Sequence, residues 1–443
     1  MTVLDRRRLD PSVFGLDPRL RDGFYADRYF LNARDVLARL AGEGYLYGGR
    51  HPDVAAPPAG TDLARTAVGD LEAEMQVFAK RRPFALACGV DHALAILKEA
   101  TGFTDASGRF QNTAAALEVE AVHDGAKLAP WVPAMKIRGR YRDYAILETV
   151  ILGALARSTS IATRSYEILE AAAGKPVFFF SARFDPPSAQ AADGYAYKVA
   201  VDVYNRDTGR RLPVMVTTAA QGQWFGGQGG GTVSHSYVLV FLKDCAEAML
   251  QYARLLPVEV SRVALVDTRG NSAEDAVRTA LAMFLQYHKL RAAGQAEEAE
   301  RYRLSGVRLD TAGEVRDAGV PPLGDPVLDL GVVPRLVTHV RQSLDSLSSR
   351  PDIPQGAGAE AREYFRGIRI VVSGGFDPER IRRFEALGVP VDVYGVGSAF
   401  LAGPACDFTA DLVRLRLGGQ WIVHAKNGRG PVPNPDLEPV PMK

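Results

Sequence analysis

Apolar positions recur at helical spacing twice in the first 145 residues. Phe30, Leu31, Val36, Leu37 and Leu40 predict a helix over 29–43, and Ala87, Val90, Ala93, Ile96 and Leu97 predict another over 84–99. The run AALEVEAVHDGAKLAPW then alternates apolar and acidic residues and breaks at Asp124-Gly125, the signature of a hairpin. KIRGRYRD (136–143) reads as a further, exposed strand, and the Ala/Gly/Pro-rich stretch Val54–Gly60 as a surface loop.

From about Ala145 the texture changes. A long helical segment, AILETVILGALARSTSIATRSYEILEAAA, ends at Gly174. Six short β-branched or aromatic runs follow: PVFFFSA, PVMVTTA, VSRVALVDT, SGVRLD, RIVVSG and VDVYGVG. Between and beside them lie helical patterns over 188–206, 236–255, 273–292, 333–346 and 378–387. Strands alternating with helices predict parallel β/α units covered on both faces. The fold class expected is α/β, an irregular parallel β/α barrel with an α+β N-terminal domain, and an open doubly wound sheet is the alternative. The last 40 residues read as a hairpin and tail that return to the first domain. The division expected is 1–145, 146–404 and 405–443. The charged segment 294–303 carries no further message.

Composition narrows the function classes. A chain of 443 residues makes roughly two or three units at about 150 residues each. With Lys+Arg 53 against Asp+Glu 52, the net charge of +1 provides no field for nucleic acid or an anionic membrane. No stretch of about 18 uncharged apolar residues occurs, so no bilayer-spanning helix is expected. The start MTVLDRRRLD runs apolar to charged, the reverse of a leader peptide. Cys88, Cys245 and Cys406 are too far apart for a zinc knuckle or a disulfide framework. A soluble, cytoplasmic, globular protein is expected.

In parallel β/α folds the chemistry gathers where strands end. Those ends carry Arg183, then a glycine-rich run with Thr232 and His235, then Asp267, then Arg308 and Asp310, then Ser373-Gly374-Gly375, and last Gly395-Val396-Gly397-Ser398. Glycine turns after the last two strands suit a phosphate held by backbone N–H groups; they are equally tight strand-to-helix turns. Arg308 and Asp310, two apart on a strand, face one side, as ligand groups or as a structural ion pair. His235 sits at a helix start, with Ser234 or Thr232 as its cap, as nucleophile, base, anion ligand or structural residue.

The ordered series GTVSHS, ALVDT, GVRLD, VSGGFD and VYGVGS resembles the nicotinate phosphoribosyltransferases, type II phosphoribosyltransferases related to the nicotinamide and quinolinate enzymes. YADRYFL, MKIRGRYRDYAILETVILGALARSTSIAT, SARFDPP and DFTADLV extend the resemblance over roughly residues 20–430. It implies transfer of phosphoribose from phosphoribosyl pyrophosphate (PRPP) to nicotinate, giving nicotinate mononucleotide and pyrophosphate in NAD salvage, with Mg2+ and with ATP hydrolysed through a phosphohistidine. His235 would be that histidine, and Asp267 and Asp310 the acidic catalytic residues beside it. Arg183 would hold the nicotinate carboxylate and Tyr29 would stack on the pyridine in a neighbouring subunit, so a homodimer with interfacial active sites is implied. Thr232, Arg308, Gly374, Gly375, Gly395, Gly397 and Ser398 would bind the phosphoribosyl group. Phe184 stands where many relatives have a second arginine, which keeps nicotinamide as an alternative base. Glu314 stands in for a displaced second acid after Asp310, which keeps a catalytically silent nucleotide-binding relative as another alternative.

Overall fold

A computed structural model describes residues 5–55 and 57–443; residues 1–4, where the chain start was read, and Ala56 of the Val54–Gly60 stretch lie outside the described residues. The chain divides into two compact units. The first comprises Met1–Tyr166, Tyr195–Arg206 and Pro404–Lys443, and the second Glu167–Gly194 and Asp207–Gly403.

The first unit is built on a six-stranded antiparallel sheet. Its strands run in the order Gln420–Val423, Phe408–Leu417, Glu72–Ala79, Pro133–Arg140, Glu118–Ala121, Glu438–Val440. KIRGRYRD therefore supplies an interior strand and not an exposed one: Met135, Ile137 and Gly139 point inward while Lys136, Arg138 and Arg140 keep their charged ends at the surface. The buried carboxylate of Glu74 is matched by two guanidinium groups, Arg138 at 2.8 Å and Arg414 at 2.7 Å.

The hairpin expected at Asp124-Gly125 does not form. Glu118–Ala121 joins the large sheet, whereas Lys127–Leu128 pairs with Ala85–Leu86. The turn is claimed by this second pairing: Gly125 N–H donates to the Ala87 carbonyl at 2.8 Å and Ala87 N–H to the Ala126 carbonyl at 2.8 Å. For the same reason the helix expected over 84–99 starts only at Val90, after Gly89 at φ +86°, and runs Val90–Ala100. Asp124 accepts the Val90 N–H at 2.9 Å in a fully buried position, where burial and then the charge of Asp91 push its carboxyl up to about 8.

One helical run, Tyr141–Ala171, is long and apolar enough to cross a membrane by length and composition alone, although charged residues interrupt it. Half of its most apolar window is buried in the protein. Its hydroxyls bind backbone of the first unit: Thr163 accepts the Leu86 N–H at 2.9 Å, Thr159 the Cys88 N–H at 3.1 Å, and Ser160 the Cys406 N–H at 2.8 Å. These bonds make it a core helix.

The second unit is a curled half-barrel of six parallel strands. They are β1 (Val177–Phe179), β2 (Met215–Val216), β3 (Val263–Leu265), β4 (Gly306–Leu309), β5 (Arg369–Val372) and β6 (Val393–Val396), in the order β3-β4-β5-β6-β1-β2. Phe178, Val263, Val371 and Val393 form the core that the strands share. Apart from β6 beside β1, every neighbour in space is a neighbour in sequence, and pairing β2 with β3 would close the circle; among the described residues that pairing is absent. The glycine-rich chain fills the place instead: Gly230 N–H donates to the Val216 carbonyl at 2.8 Å, and Val233 N–H to the Val263 carbonyl at 3.4 Å.

The helix expected over 236–255 is broken in two, His235–Val240 and Cys245–Leu255. Leu242 and Lys243 take left-handed φ values of 55° and 67°, and Asp244 caps the second helix by accepting the Glu247 N–H at 3.0 Å. A helix at Gly358–Arg366 that the apolar spacing did not reveal buries Ala361, Tyr364 and Phe365.

Candidate active site

The C-terminal ends of five of the six strands, all but β3, open on one cavity of about 380 Å3, and neither His235 nor Asp267 is among its lining residues. Arg183, Thr232, Arg308, Asp310, Gly374, Gly375, Gly395, Gly397 and Ser398 all line it. All its lining residues belong to the second unit; Tyr29 belongs to the first, where its exposed ring packs on Phe30 at 4.4 Å between centroids.

Arg308 organises the cavity floor. It leaves β4 two residues before Asp310, so both side chains emerge on one face. Its guanidinium uses all three nitrogens: Nε donates to Ser373 Oγ at 2.8 Å, Nη1 to Thr232 Oγ1 at 3.0 Å and Nη2 to Asp310 Oδ2 at 2.9 Å. Ser373 closes the ring by donating to Asp310 Oδ1 at 2.6 Å. The fork thus stitches β4, β5 and the glycine-rich segment together, with its Cζ 4.8 Å from the Phe180 ring centroid. Thr232 is therefore a partner of Arg308, while Ser234 caps the His235 helix by accepting the Tyr237 N–H at 3.2 Å.

His235 and Asp267 pair beside this cluster, Nε2 to Oδ2 at 3.0 Å. The imidazole is 42% exposed and the carboxylate 8%. Burial pushes the Asp267 carboxyl up, and the charge of Asp310 adds to that, against the opposing bond from His235. The second oxygen, Oδ1, is buried with no hydrogen-bond partner.

The two glycine turns differ. At Gly374 and Gly375, φ of +88° and +77° places both in the left-handed region that favours glycine. At Gly395 and Gly397 the missing side chains make room for aromatic rings: a Cβ on Gly395 would lie 2.6 Å from the Phe180 ring and one on Gly397 2.7 Å from the Phe184 ring. Arg183 sits 5.5 Å from the Phe184 centroid, so each of the cavity's two arginines lies against a phenyl ring. Phe180 and Ser373 are the site residues that sequence reasoning left unassigned. Ser373 carried a signal, a hydroxyl directly after a strand, and Phe180 carried none apart from an aromatic run.

A family model of the quinolinate phosphoribosyl transferase N-terminal domain matches residues 62–159. Two nicotinate phosphoribosyltransferases of Mycobacterium tuberculosis, pncB1 and pncB2, are 23% and 26% identical over 301 and 299 residues. Each alignment covers 67% of this chain and 52% or 51% of the relative, so the chain spans about half the length of the curated relatives it matches. Among solved structures, nicotinate-nucleotide pyrophosphorylase from Pyrococcus furiosus superposes with a TM-score of 0.62 at 22% identity, over 96% of this chain and 85% of that one. Human nicotinic acid phosphoribosyltransferase gives 0.56 at 17%, over 89% and 75%. These matches support a relationship to the type II phosphoribosyltransferases. At these identities the two solved structures speak for the fold. The matched stretch 62–159 takes in three strands of the antiparallel sheet and the start of the core helix, and the cavity sits at the strand ends of the half-barrel.

Proposed function

We propose that this chain is a nicotinate phosphoribosyltransferase, forming nicotinate mononucleotide and pyrophosphate from nicotinate and PRPP in cytoplasmic NAD salvage. The observation that carries the reading is the closed ring of Arg308, Ser373 and Asp310, with Thr232 bonded to Arg308, beside the Gly374-Gly375 turn and Arg183, all within one cavity. That set offers a fork for an anion, carboxylate and hydroxyl groups for ribose, and backbone for a phosphate. Arg183 is the guanidinium available to the nicotinate carboxylate. Positive charge held around the departing pyrophosphate favours an oxocarbenium-like C1′ that the ring nitrogen attacks.

Mg2+ fits as a companion of the pyrophosphate. Among the described residues no three His, Cys, Asp or Glu side chains cluster as an all-protein site, and such ions are commonly held by one or two carboxylates, water and substrate phosphates. Asp310 and Asp267 are the carboxylates that would share it, and the ion would neutralise charge on the leaving group.

ATP coupling falls to His235. With Nε2–H directed at Asp267, Nδ1 keeps its lone pair. Nδ1 then attacks the γ-phosphorus of ATP, the bond to the ADP oxygen breaks, and ADP leaves. The phosphoryl charge so placed beside Thr232 and Arg308 would alter their hold on substrate. Exposed Phe24, Tyr25 and Tyr29 support a homodimer in which Tyr29 reaches a second copy's site.

Nicotinamide is the second reading, favoured by Phe184, which presents a phenyl ring beside Arg183 at the cavity wall. The test is product formation from PRPP with nicotinate, nicotinamide or quinolinate, with and without ATP. Nicotinate preferred and stimulated by ATP supports the proposal; nicotinamide used as well or better replaces it, and no product from any base removes it.

A further inference from the structure

Arg380 lies outside the cavity lining, in the helix Pro378–Ala386 that follows the Gly374-Gly375 turn. Among the described residues its side-chain hydrogen bonds all go to backbone carbonyls: Nη1 to Gly374 at 2.7 Å and to Gly375 at 3.3 Å, and Nη2 to Val332 at 2.7 Å. Its guanidinium also packs 4.3 Å from the Phe376 ring centroid, which fixes its plane. Burial pushes this guanidinium below its usual range, with the charge of Asp377 pulling back. A half-buried cation that spends its donors on carbonyls is costly unless it does something for the turn it holds.

Peptide geometry says what that is. In a trans peptide the C=O and the following N–H point in opposite directions. The one cis bond among the described residues is Arg82-Pro83, so the peptides after Gly374 and Gly375 are trans. Their carbonyls point to Arg380; the N–H groups of Gly375 and Phe376 therefore point away from it. Gly374, Gly375 and Phe376 all line the cavity. The space a Cβ would take on Gly375 holds only Arg380 Nη1, at 3.6 Å.

We propose that Arg380 is a positioning residue for the sugar phosphate: from behind the turn it pins two carbonyls so that the amides of Gly375 and Phe376 aim into the cavity. This rests on the reading that the cavity takes a phosphorylated ribose. Arg380 touches no substrate and acts through the backbone. The anion in turn stabilises the arrangement, since its charge sits across one peptide layer from the guanidinium.

The test compares wild type, Arg380→Met and Arg380→Lys, reading calorimetric binding of ribose 5-phosphate, the KM for PRPP, the KM for nicotinate and Tm. Arg380→Met is expected to weaken ribose 5-phosphate and raise the PRPP KM about tenfold, the scale of one charge-assisted contact. The nicotinate KM should stay within about twofold, and Arg380→Lys, which keeps the charge on a single donor nitrogen, should recover part of the loss. Unchanged ribose 5-phosphate affinity overturns the proposal, as does an equal rise in both KM values with a fallen Tm, which marks a purely structural arginine. If Arg380→Met does not fold, Arg380→Lys decides alone: it must weaken ribose 5-phosphate relative to wild type, and equal affinity overturns the idea. Wild type that binds ribose 5-phosphate but forms no pyridine nucleotide removes the proposed function and leaves Arg380 in place; wild type that does not bind it removes both.

Discussion

His235 Nε2 lies 3.0 Å from Asp267 Oδ2, so a carboxylate at the end of β3 sets which imidazole nitrogen carries the proton. That contact joins two neighbouring strand connections and gives the half-exposed histidine one defined orientation.

His235→Ala is expected to abolish stimulation by ATP while leaving some transfer from PRPP. Asp267→Asn should keep the fold but lower the ATP-stimulated rate about 10- to 100-fold, the scale seen when a carboxylate that orients a histidine is removed. Initial rates with and without ATP, and acid-labile phosphate on the protein, check both; full ATP stimulation in His235→Ala would refute the role.

Arg308→Lys keeps the charge and loses the fork. A single ammonium cannot bond Ser373, Thr232 and Asp310 in the three directions now used. The variant should lose about 1–3 kcal/mol of stability, from polar groups left without partners, together with most of its affinity for PRPP. Urea unfolding and the PRPP KM measure the two effects, and an unchanged KM would contradict this assignment.

Alanine at the two β6 glycines should separate packing from binding. On Gly395 a Cβ meets the Phe180 ring at 2.6 Å and Ser373 Cβ at 3.1 Å, in a strand buried throughout, so Gly395→Ala should cost about 1–3 kcal/mol. On Gly397 it meets the ring of Phe184, which is 42% exposed, at 2.7 Å and the Phe180 carbonyl at 3.3 Å. Gly397→Ala should therefore lower Tm less than Gly395→Ala and alter the KM for the pyridine base. The reverse ranking in thermal unfolding would show that Phe184 is the fixed ring.

Asp124 makes a pH prediction. Its folded pKa, about 8, lies above the ordinary carboxyl value of 3.8, chiefly through burial. Between those values the folded state holds a proton that the unfolded state has released, so stability falls as pH rises from about 4 through 8. Asp124→Asn keeps an oxygen for the Val90 N–H and should flatten this fall in denaturant titrations at pH 5 and pH 8.5. A variant whose slope matches wild type would place the titration elsewhere.

The strand-end chemistry was legible because parallel strands buried on both faces leave one continuous apolar run, and the residue that follows must face the mouth; Arg183, Asp267, Asp310 and Ser373 all follow such runs. The first unit was harder. Residues 118–128 alternate as a hairpin does, yet the two halves pair with different partners, Pro133–Arg140 and Ala85–Leu86, and alternation cannot name a partner. KIRGRYRD looked exposed because its charged side chains reach the surface from an interior strand. The break at Leu242-Lys243 was invisible to apolar spacing, since the cue is the cap at Asp244. Arg380 was unreadable because its partners are carbonyls, which sequence does not display.

The half-barrel's missing sixth pairing has a mechanical meaning. Where strand neighbours share ladders, β2 and β3 are spanned by one amide bond on each side, from Gly230 and Val233. The amides of 228–233 should be first in the barrel to exchange with deuterium. The same few residues carry Thr232, which grips Arg308, and lead directly into His235. The keystone of this arch is also its hinge, and a charge added to one imidazole arrives where the masonry gives most easily.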